Sequence, residues 1–461
     1  MYQKTYHIHF VGIGGIGMSG IASVLMNLGY TVSGSDLRGG PITEKLRISG
    51  AVIYKGHHKD QVEKADVVVT STAIAPGNPE VVEARKRNIP IIKRADMLAE
   101  LMRFKYSIAV SGAHGKTSTT AMISEIMNQA GLDPTIIVGG LLMRIDTNAL
   151  HGKGDFIVVE ADESDGSFLK YSPAIAAVTN IDLEHMDYYR DIEDIKEKFI
   201  QFINSVPFYG LAVLCLDNEH IQHILPRVTA RYITFGETAQ ADIQARHIRF
   251  KDTKGFFSIV YKHQPLGEMS LNLAGRHNIS NALAAVGVAL ELGIEFNVIK
   301  SALEQINGVK RRLEIKGESC GAVVMDDYGH HPTEIKTTLN AVRESWPDKR
   351  IVVVFQPHRY SRTKALFDDF TRSFYRSDML IVLPIYAASE DRIDGVDARY
   401  LCVGIEKHGH KNVSFAEDFE RCLTMLLETV HQGDLVLTLG AGDVYLLGEQ
   451  LLLRLNEKNT P

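Results

Sequence analysis

The chain has 461 residues, 45% hydrophobic and 23% charged, an ordinary globular composition that is long enough for about three domains. Its 50 basic and 56 acidic residues leave a formal charge of −6, so neither nucleic acid nor an anionic membrane is expected as a partner. Cys215, Cys320, Cys402 and Cys422 are scattered without a C-x-x-C pair, which predicts reduced thiols rather than disulfides or a zinc site. With no apolar run of about 18 residues and no charged leader, the expectation is a soluble cytoplasmic protein.

Strands and helices alternate from end to end. His7 to Gly12 reads as an apolar strand, Ile16 to Leu28 as a helix, and Thr31 to Gly34 and Val67 to Thr70 as further strands. Between the first strand and helix lies Gly12-Ile-Gly-Gly-Ile-Gly17, with Asp36 ending the next strand. This G-x-G-x-x-G predicts a diphosphate at a helix N-terminus beside a ribose held by the acid at 36. A dinucleotide cofactor fits that pattern, and so does another nucleotide diphosphate.

A second unit starts at Tyr106. Its first strand, Ser107 to Val110, runs into Ser111-Gly-Ala-His-Gly-Lys-Thr-Ser-Thr-Thr120 and a helix beginning near Lys116. Gly112 and Gly115 let backbone N–H groups face an anion, Lys116 adds a full positive charge, and Thr117 can ligate Mg²⁺, so a nucleoside triphosphate is the expected ligand. The eight-residue G-x-x-x-x-G-K-[ST] loop would need glycine where Val110 stands; the loop here is the shorter G-x-x-G-K-T. A dehydrogenase has no need of this second phosphate loop, which weighs against a pyridine-nucleotide oxidoreductase.

Buried-type strands follow at Phe156 to Glu160, Ala174 to Thr179 and Ala212 to Leu216, and a long helix at His277 to Leu292. Glu160-Ala-Asp-Glu-Ser-Asp165 places Glu160 at the carboxyl end of the sheet, where it can complete an Mg²⁺ shell; the other acids of the run are expected in a solvated turn. His185, in Thr179-Asn-Ile-Asp-Leu-Glu-His-Met-Asp187, falls at the same predicted edge. Residues 231–262 read as short alternating β segments at an antiparallel edge. After the polar stretch Gly308 to Gly321, strands at Ala322 to Asp326, Ile351 to Phe355, Met379 to Leu383 and Leu435 to Leu439 make a third unit, and Gly440-Ala-Gly-Asp443 reads as a turn with Asp443 as helix N-cap. The fold class is α/β in three domains: a Rossmann-like N-terminal domain (1–105), a P-loop-type central ATPase domain (106–311) and a Rossmann-like C-terminal domain (312–461).

These motifs, with Gly275-Arg-His-Asn-Ile-Ser-Asn-Ala-Leu283, Lys310-Arg-Arg-Leu313, Asp326-Asp-Tyr-Gly-His-His-Pro-Thr-Glu334 and Phe355-Gln-Pro-His-Arg-Tyr-Ser-Arg-Thr363, resemble the Mur ligases over nearly the whole chain. The family usually has Thr at the positions of Ala113 and Ser118. The resemblance implies an ATP- and Mg²⁺-dependent ligase that phosphorylates the carboxylate of UDP-N-acetylmuramate and joins it to L-alanine, acting as a monomer or weak homodimer. It implies Gly112, Gly115, Lys116, Thr117 and Ser118 at the ATP phosphates, Thr117, Glu160 and His185 at metal ions, Asn278 and Asn281 at adenine, Arg312 at the γ-phosphate and Asp327 at the ATP ribose. Gly14, Gly15, Asp36, His57 and Ser71 are implied at the UDP part of the substrate, and Tyr328, His330, Arg359 and Arg362 at L-alanine and the muramyl end. Arginine suits a carboxylate because its planar fork can hold both oxygens. A paired metal site at His330 and His331 is the competing reading of those two residues. A nucleotide-regulated binding protein is the competing reading of the whole.

Overall fold

The structure is a computed structural model that describes residues 6–71, 73–142, 147–186, 188–306 and 310–459. Asp187 and Gly308, the ends of two of the predicted segments, lie outside them. Three sheets stand where three α/β domains are expected. The first contains β1 (His7–Val11), β2 (Thr31–Asp36), β3 (Val52–Lys55), β4 (Val67–Thr70) and β5 (Ile91–Lys93), all parallel in the order β3-β2-β1-β4-β5. The chain leaves β1 toward one edge and returns to its other side, which makes β1 a switch point, the place where open parallel sheets bind ligands beyond their carboxyl ends.

The second sheet contains β6 (Tyr106–Ser111), β7 (Thr135–Leu142), β8 (Thr147–Leu150), β9 (Phe156–Glu160), β10 (Ile175–Val178), β11 (Leu211–Cys215), β12 (Tyr232–Gly236), β13 (Ile243–Lys251), β14 (Lys254–Tyr261) and β15 (Gln264–Leu271). Its order is β15-β14-β13-β12-β11-β10-β6-β9-β7-β8. β6 lies in register between β10 and β9, with Val110 opposite Ala177 and Glu160. The expected antiparallel edge in 231–262 is met only in part: β12 pairs parallel with both β11 and β13, so the antiparallel run begins only at β13 and is continued by β14 and β15. Lys262 and His263 have φ of 45° and 67°, and two consecutive left-handed residues form the tight turn whose twist suits an antiparallel hairpin. The third sheet contains β16 (Glu314–Ser319), β17 (Ala322–Asp327), β18 (Ile351–Phe355), β19 (Met379–Val382), β20 (Val413–Phe415) and β21 (Leu435–Leu439), in the order β16-β17-β21-β18-β19-β20. Only β16 pairs antiparallel there.

The central strands are apolar without alternation because helices cover both faces: β11, β18 and β21 are buried at every residue. The helices start where side chains satisfy the first N–H groups. Asp191 caps Ile192–Asn204, Asp397 caps Ala398–Lys407 and Asp418 caps Phe419–Thr429. Asp443 does not cap in this way. The last helix, Tyr445–Asn459, begins two residues later, and the Asp443 carboxylate accepts a hydrogen bond from Gln356 Nε2 at 2.8 Å. The long helix predicted from His277 is Arg276–Glu291.

By contacts the chain forms two compact units. One comprises Met1–Arg246, Ser258–Met269 and Ser280–Ile306, and the other His247–Phe257, Ser270–Ile279 and Asn307–Pro461. All four cysteines are free, and no helix among the described residues is long and apolar enough to cross a membrane.

The packing at the N-terminal switch point leaves no room for a methyl group. A Cβ on Gly34 would lie 2.7 Å from Ile13 Cβ and from the Phe10 carbonyl oxygen. Gly34→Ala should therefore cost about 1–3 kcal/mol and lower the thermal midpoint of the purified protein. An unchanged midpoint would contradict this account of the β1–β2 contact.

Candidate active site

The loop after β6 has its shape because two glycines take backbone angles and space that other residues cannot. Gly112 and Gly115 have φ of 132° and 84°, and an added Cβ would collide with Thr179 Oγ1 at the first and Asn281 Oδ1 at the second. The segment after β10 clamps the loop. Thr179 Oγ1 and Asn180 Nδ2 donate to the His114 carbonyl at 2.6 and 2.9 Å, while the His114 N–H donates to Asn180 Oδ1 at 2.8 Å. The helix Lys116–Gln129 then starts with its free N–H groups at the loop.

Lys116 Nζ donates to the Gly112 and Ala113 carbonyls at 2.7 and 3.1 Å and to Glu163 Oε1 at 3.0 Å. Burial works against its charge, yet the Glu163, Asp162 and Glu160 carboxylates raise its pKa above the ordinary lysine value, so it is a permanent cation. Thr117 Oγ1 donates to Glu160 Oε2 at 2.9 Å, and Ser118 follows half-buried in the first helical turn. The structure thus brings Thr117 and Glu160, both expected at metal ions, within hydrogen-bond distance, and it adds Glu163, which the sequence reading left in a solvated turn.

Glu163 is only 3% exposed and is no solvated turn residue. Its Oε1 lies 3.6 Å from His185 Nε2, which is 3.7 Å from Glu184 Oε2, and Tyr189 donates to its carbonyl. Burial acts to lower the His185 pKa, but the hydrogen bond and charge of Glu163 raise it overall. Glu163 Oε2 is buried without a hydrogen-bond partner, and Glu163, Glu184 and His185 offer ligand atoms within 4.8 Å of one another. An orphaned carboxylate oxygen beside a histidine and a second carboxylate fits a hard divalent cation.

Asn281 is buried against Gly115, whereas buried Asn278 donates to the Ala274 carbonyl at 2.8 Å. At the N-terminal sheet, Gly14 N–H donates to Asp36 Oδ2 at 2.9 Å and Arg38 N–H to Oδ1 at 3.1 Å. Asp36 thus closes the glycine turn as well as standing at its mouth. Gly15 is exposed in that turn. His57 lies past β3 with Nδ1 2.9 Å from Ser35 Oγ, and Ser71 lines a cavity of about 680 Å³ with Thr70, Ile74, Val81 and Lys93.

In the second unit the segments after β17 and β18 supply the other predicted residues. The Arg312 guanidinium lies 5.4 Å above the Tyr328 ring and 3.6 Å from Glu334. Arg311 is tied instead to Asp326 at 3.0 Å and to the Gly440 and Gly442 carbonyls, between Tyr328 and Tyr445. The Asp327 carboxylate accepts from the Gly329 and Leu313 N–H groups, both at 2.9 Å, and from Thr338 Oγ1 at 3.0 Å. In this structure it therefore fixes the turn. Arg359 has φ of 71°, a strained angle for a side-chain-bearing residue.

Arg362 Nη1 is 3.3 Å from His358 Nδ1, and the His358 ring lies 5.6 Å from both His330 and Tyr386. Tyr328, His330, His358, Tyr386 and Arg362 form one cluster. His358 was visible inside the Pro-His-Arg motif, but Tyr386 carried no signal. His330 Nδ1 is 3.1 Å from the Tyr328 carbonyl, an acceptor, so its proton sits on Nδ1 and Nε2 is bare. His331 Nδ1 accepts the Thr333 N–H at the start of Pro332–Ser345. The two adjacent rings are thus engaged separately, which disfavours the paired metal site.

Among the imidazoles of this unit that burial holds neutral, His277 is lowered to about 4 and His330 to about 3. The unfolded chain takes up protons at both below about 6.5, whereas the native state does not until about 4 and 3, so stability is greatest above 6.5 and falls as the pH drops. The limiting slope is about 1.4 kcal/mol per pH unit for each histidine. The melting midpoint should decline between pH 7 and 5, and His277→Gln should flatten the decline. A slope unchanged in that variant would contradict the buried, neutral state of His277.

Comparison with known proteins accords with this geometry. The chain matches "Mur ligase family, catalytic domain" over residues 7–106, "Mur ligase middle domain" over 110–289 and "Mur ligase, glutamate ligase domain" over 311–442. It is 72% identical over 452 residues to the UDP-N-acetylmuramate–L-alanine ligase of Desulforapulum autotrophicum, covering 98% of this chain and 99% of that one. The ligase of the same name from Desulfosudis oleivorans is 59% identical with the same coverage. The crystal structure of the UDP-N-acetylmuramate-alanine ligase of Thermotoga maritima superimposes with a TM-score of 0.82 at 28% identity, covering 98% of this chain and all (100%) of the other. Three matched family domains in chain order, with a 72% identical relative over nearly the whole length, leave one conclusion: the chain belongs to the Mur ligase family.

Proposed function

We propose that the protein joins L-alanine to the lactyl carboxylate of UDP-N-acetylmuramate at the expense of ATP, an early step in building the peptidoglycan precursor. The buried Lys116–Glu163 pair at the mouth of β6, 3.0 Å apart, is the observation that carries the phosphate chemistry. The 72% identical relative, named for this reaction, supports the choice of substrates. A carboxylate oxygen attacks the γ-phosphorus of ATP and ADP leaves; the amine of L-alanine then attacks the acyl carbon, and phosphate leaves with the C–O bond electrons. Phosphoryl transfer asks the protein for positioning and charge neutralisation more than for covalent help.

The residue roles follow the resemblance to the family. Gly112 and Gly115 open the backbone of the loop, Lys116 neutralises the β- and γ-phosphates, Ser118 adds a hydroxyl in the first turn, and Asn281 with Asn278 faces adenine. Thr117 and Glu160 hold one Mg²⁺, and His185, joined by Glu163 and Glu184, a second; when bound, the metal supplies positive charge that offsets the charge moving onto the phosphate oxygens. Arg312 serves the γ-phosphate and Asp327 the ribose. His330, too weak a base at a pKa of about 3 to take the ammonium proton, presents its bare Nε2 to the amine as a hydrogen-bond acceptor, and Tyr328, Arg359 and Arg362 hold carboxylate or phosphate oxygens. Gly14, Gly15 and Asp36 receive the UDP diphosphate and ribose, and His57 and Ser71 the uridine. The domain boundaries remain 1–105, 106–311 and 312–461, and the working state is a cytoplasmic monomer or weak homodimer.

The test is phosphate release from ATP with UDP-N-acetylmuramate and a panel of amino acids. L-Alanine should give the highest kcat/KM. Glycine should fall by roughly five- to tenfold, since a buried methyl is worth about 1 kcal/mol. D-Glutamate and meso-diaminopimelate, which bring an extra carboxylate to be buried, should be rejected by several orders of magnitude, on the order of 10³ or more. A preference for either acidic substrate would overturn the assignment of L-alanine, and phosphate release independent of UDP-N-acetylmuramate would overturn the ligase.

A further inference from the structure

A second buried charge lies beneath the N-terminal sheet and has no part in the chemistry above. Glu80, in the helix Pro79–Lys86, is fully buried (0% exposed). Every group around it is a donor. His9 Nε2 lies 3.2 Å and Ser35 Oγ 2.7 Å from Oε2, and the His58 N–H is 3.2 Å from Oε1. The Gln61 amide, turned so that both its ends are satisfied, also donates to Oε1. Burial opposes ionisation, but the hydrogen bonds from His9 and Ser35 hold the carboxyl below its ordinary pKa.

The fifth neighbour is His57, whose Nδ1 is 2.9 Å from Ser35 Oγ and 3.4 Å from Glu80 Oε1. An ionised carboxylate can only accept, so the single Ser35 hydroxyl proton points to Glu80 and the Ser35 oxygen accepts from His57. When the His57 ring carries one proton, that proton is therefore on Nδ1, and Nε2 carries a bare lone pair. Ser35 lies near the carboxyl end of β2 and His57 just past β3, at the same sheet edge as the Gly12–Gly15 turn, and the His57 side chain is 11% exposed. Its buried nitrogen faces the carboxylate, leaving Nε2 for a ligand.

We propose that Glu80, acting through Ser35, is a positioning residue that fixes His57 Nε2 as the acceptor for the imide N3–H of the uracil base, and so selects uracil over cytosine. The proposal rests on the reading that His57 meets the uridine. Uracil offers one N–H between two carbonyl oxygens. Cytosine offers a bare N3, whose lone pair would face that of Nε2. A site built around one donor rejects the analogue lacking it because its own acceptor is left unpaired.

Two measurements test this. In [15N]histidine-labelled protein, the long-range 1H–15N correlations of His57, assigned by their loss in His57→Phe, should show the proton on Nδ1. Dissociation constants for UDP and CDP, measured by calorimetry, should favour UDP by at least about tenfold in the wild type. That preference should shrink several-fold in Glu80→Gln, whose amide can donate back to Ser35 and release the tautomer. If Glu80→Gln does not fold, Ser35→Ala, which removes only a hydroxyl, carries the same expectation. A proton found on Nε2 overturns the proposal, as does an unchanged UDP preference in a folded variant that still binds UDP. Failure of the wild type to bind UDP overturns instead the uridine reading on which it rests.

Discussion

A lysine cannot remain charged inside a protein without carboxylates to compensate it, and the architecture around β6 follows from that constraint. Lys116 reaches back over its own loop to two carbonyls and Glu163, so the loop is folded around the ammonium group before any phosphate arrives. The glycines are needed because that wrapping brings the backbone against Thr179 and Asn281, and the clamp from the 179–180 segment is needed because the loop has no strand neighbours of its own. An arriving polyphosphate would exchange one set of anionic partners of Lys116 for another. The cation is then never desolvated alone, which would cost several kcal/mol.

The same economy recurs at the other strand ends. Asp36 closes the glycine turn of the N-terminal sheet through the Gly14 N–H, and Asp327 closes the turn after β17 through two backbone N–H groups and a threonine. Both of these loops at a carboxyl edge are organised by a carboxylate from their own sheet. The buried histidines are the counterpart: His277 and His330 are held uncharged by burial, and His330 sits in the C-terminal cluster with His358 and Arg362.

Much of this was legible in the sequence because it depends on neighbours in the chain. The phosphate loop, its helix and the strand before it are set by residues 107–120, and the buried strands by unbroken apolar runs such as Ile351–Phe355. Three of the strands that escaped notice, Val52–Lys55, Ile91–Lys93 and Val413–Phe415, are short and only partly buried, so their pairing is decided by the sheet. The acidic run at 160–165 did not reveal which acid turns inward, because past the strand end the alternation of faces no longer applies; Glu163 is selected by Lys116 and His185 in space. Glu80 was hidden more deeply. In Pro79–Lys86 it sits among solvated charges, and only His9, Ser35 and His57, brought from separate strands and a loop, make it a buried acceptor. Asp443 looked like a cap on local grounds and was claimed by Gln356 from the neighbouring strand end.

The arrangement around Lys116 is most directly tested by the binding of a divalent cation. Mn²⁺ titrated into the protein with a non-hydrolysable ATP analogue, and followed by electron paramagnetic resonance, reports occupancy without turnover. If Glu163 is both the countercharge of Lys116 and a metal ligand through its orphaned oxygen, Glu163→Gln should weaken Mn²⁺ binding by about tenfold or more while the protein keeps its fold. Mn²⁺ affinity equal to that of the wild type in the folded variant would contradict the account.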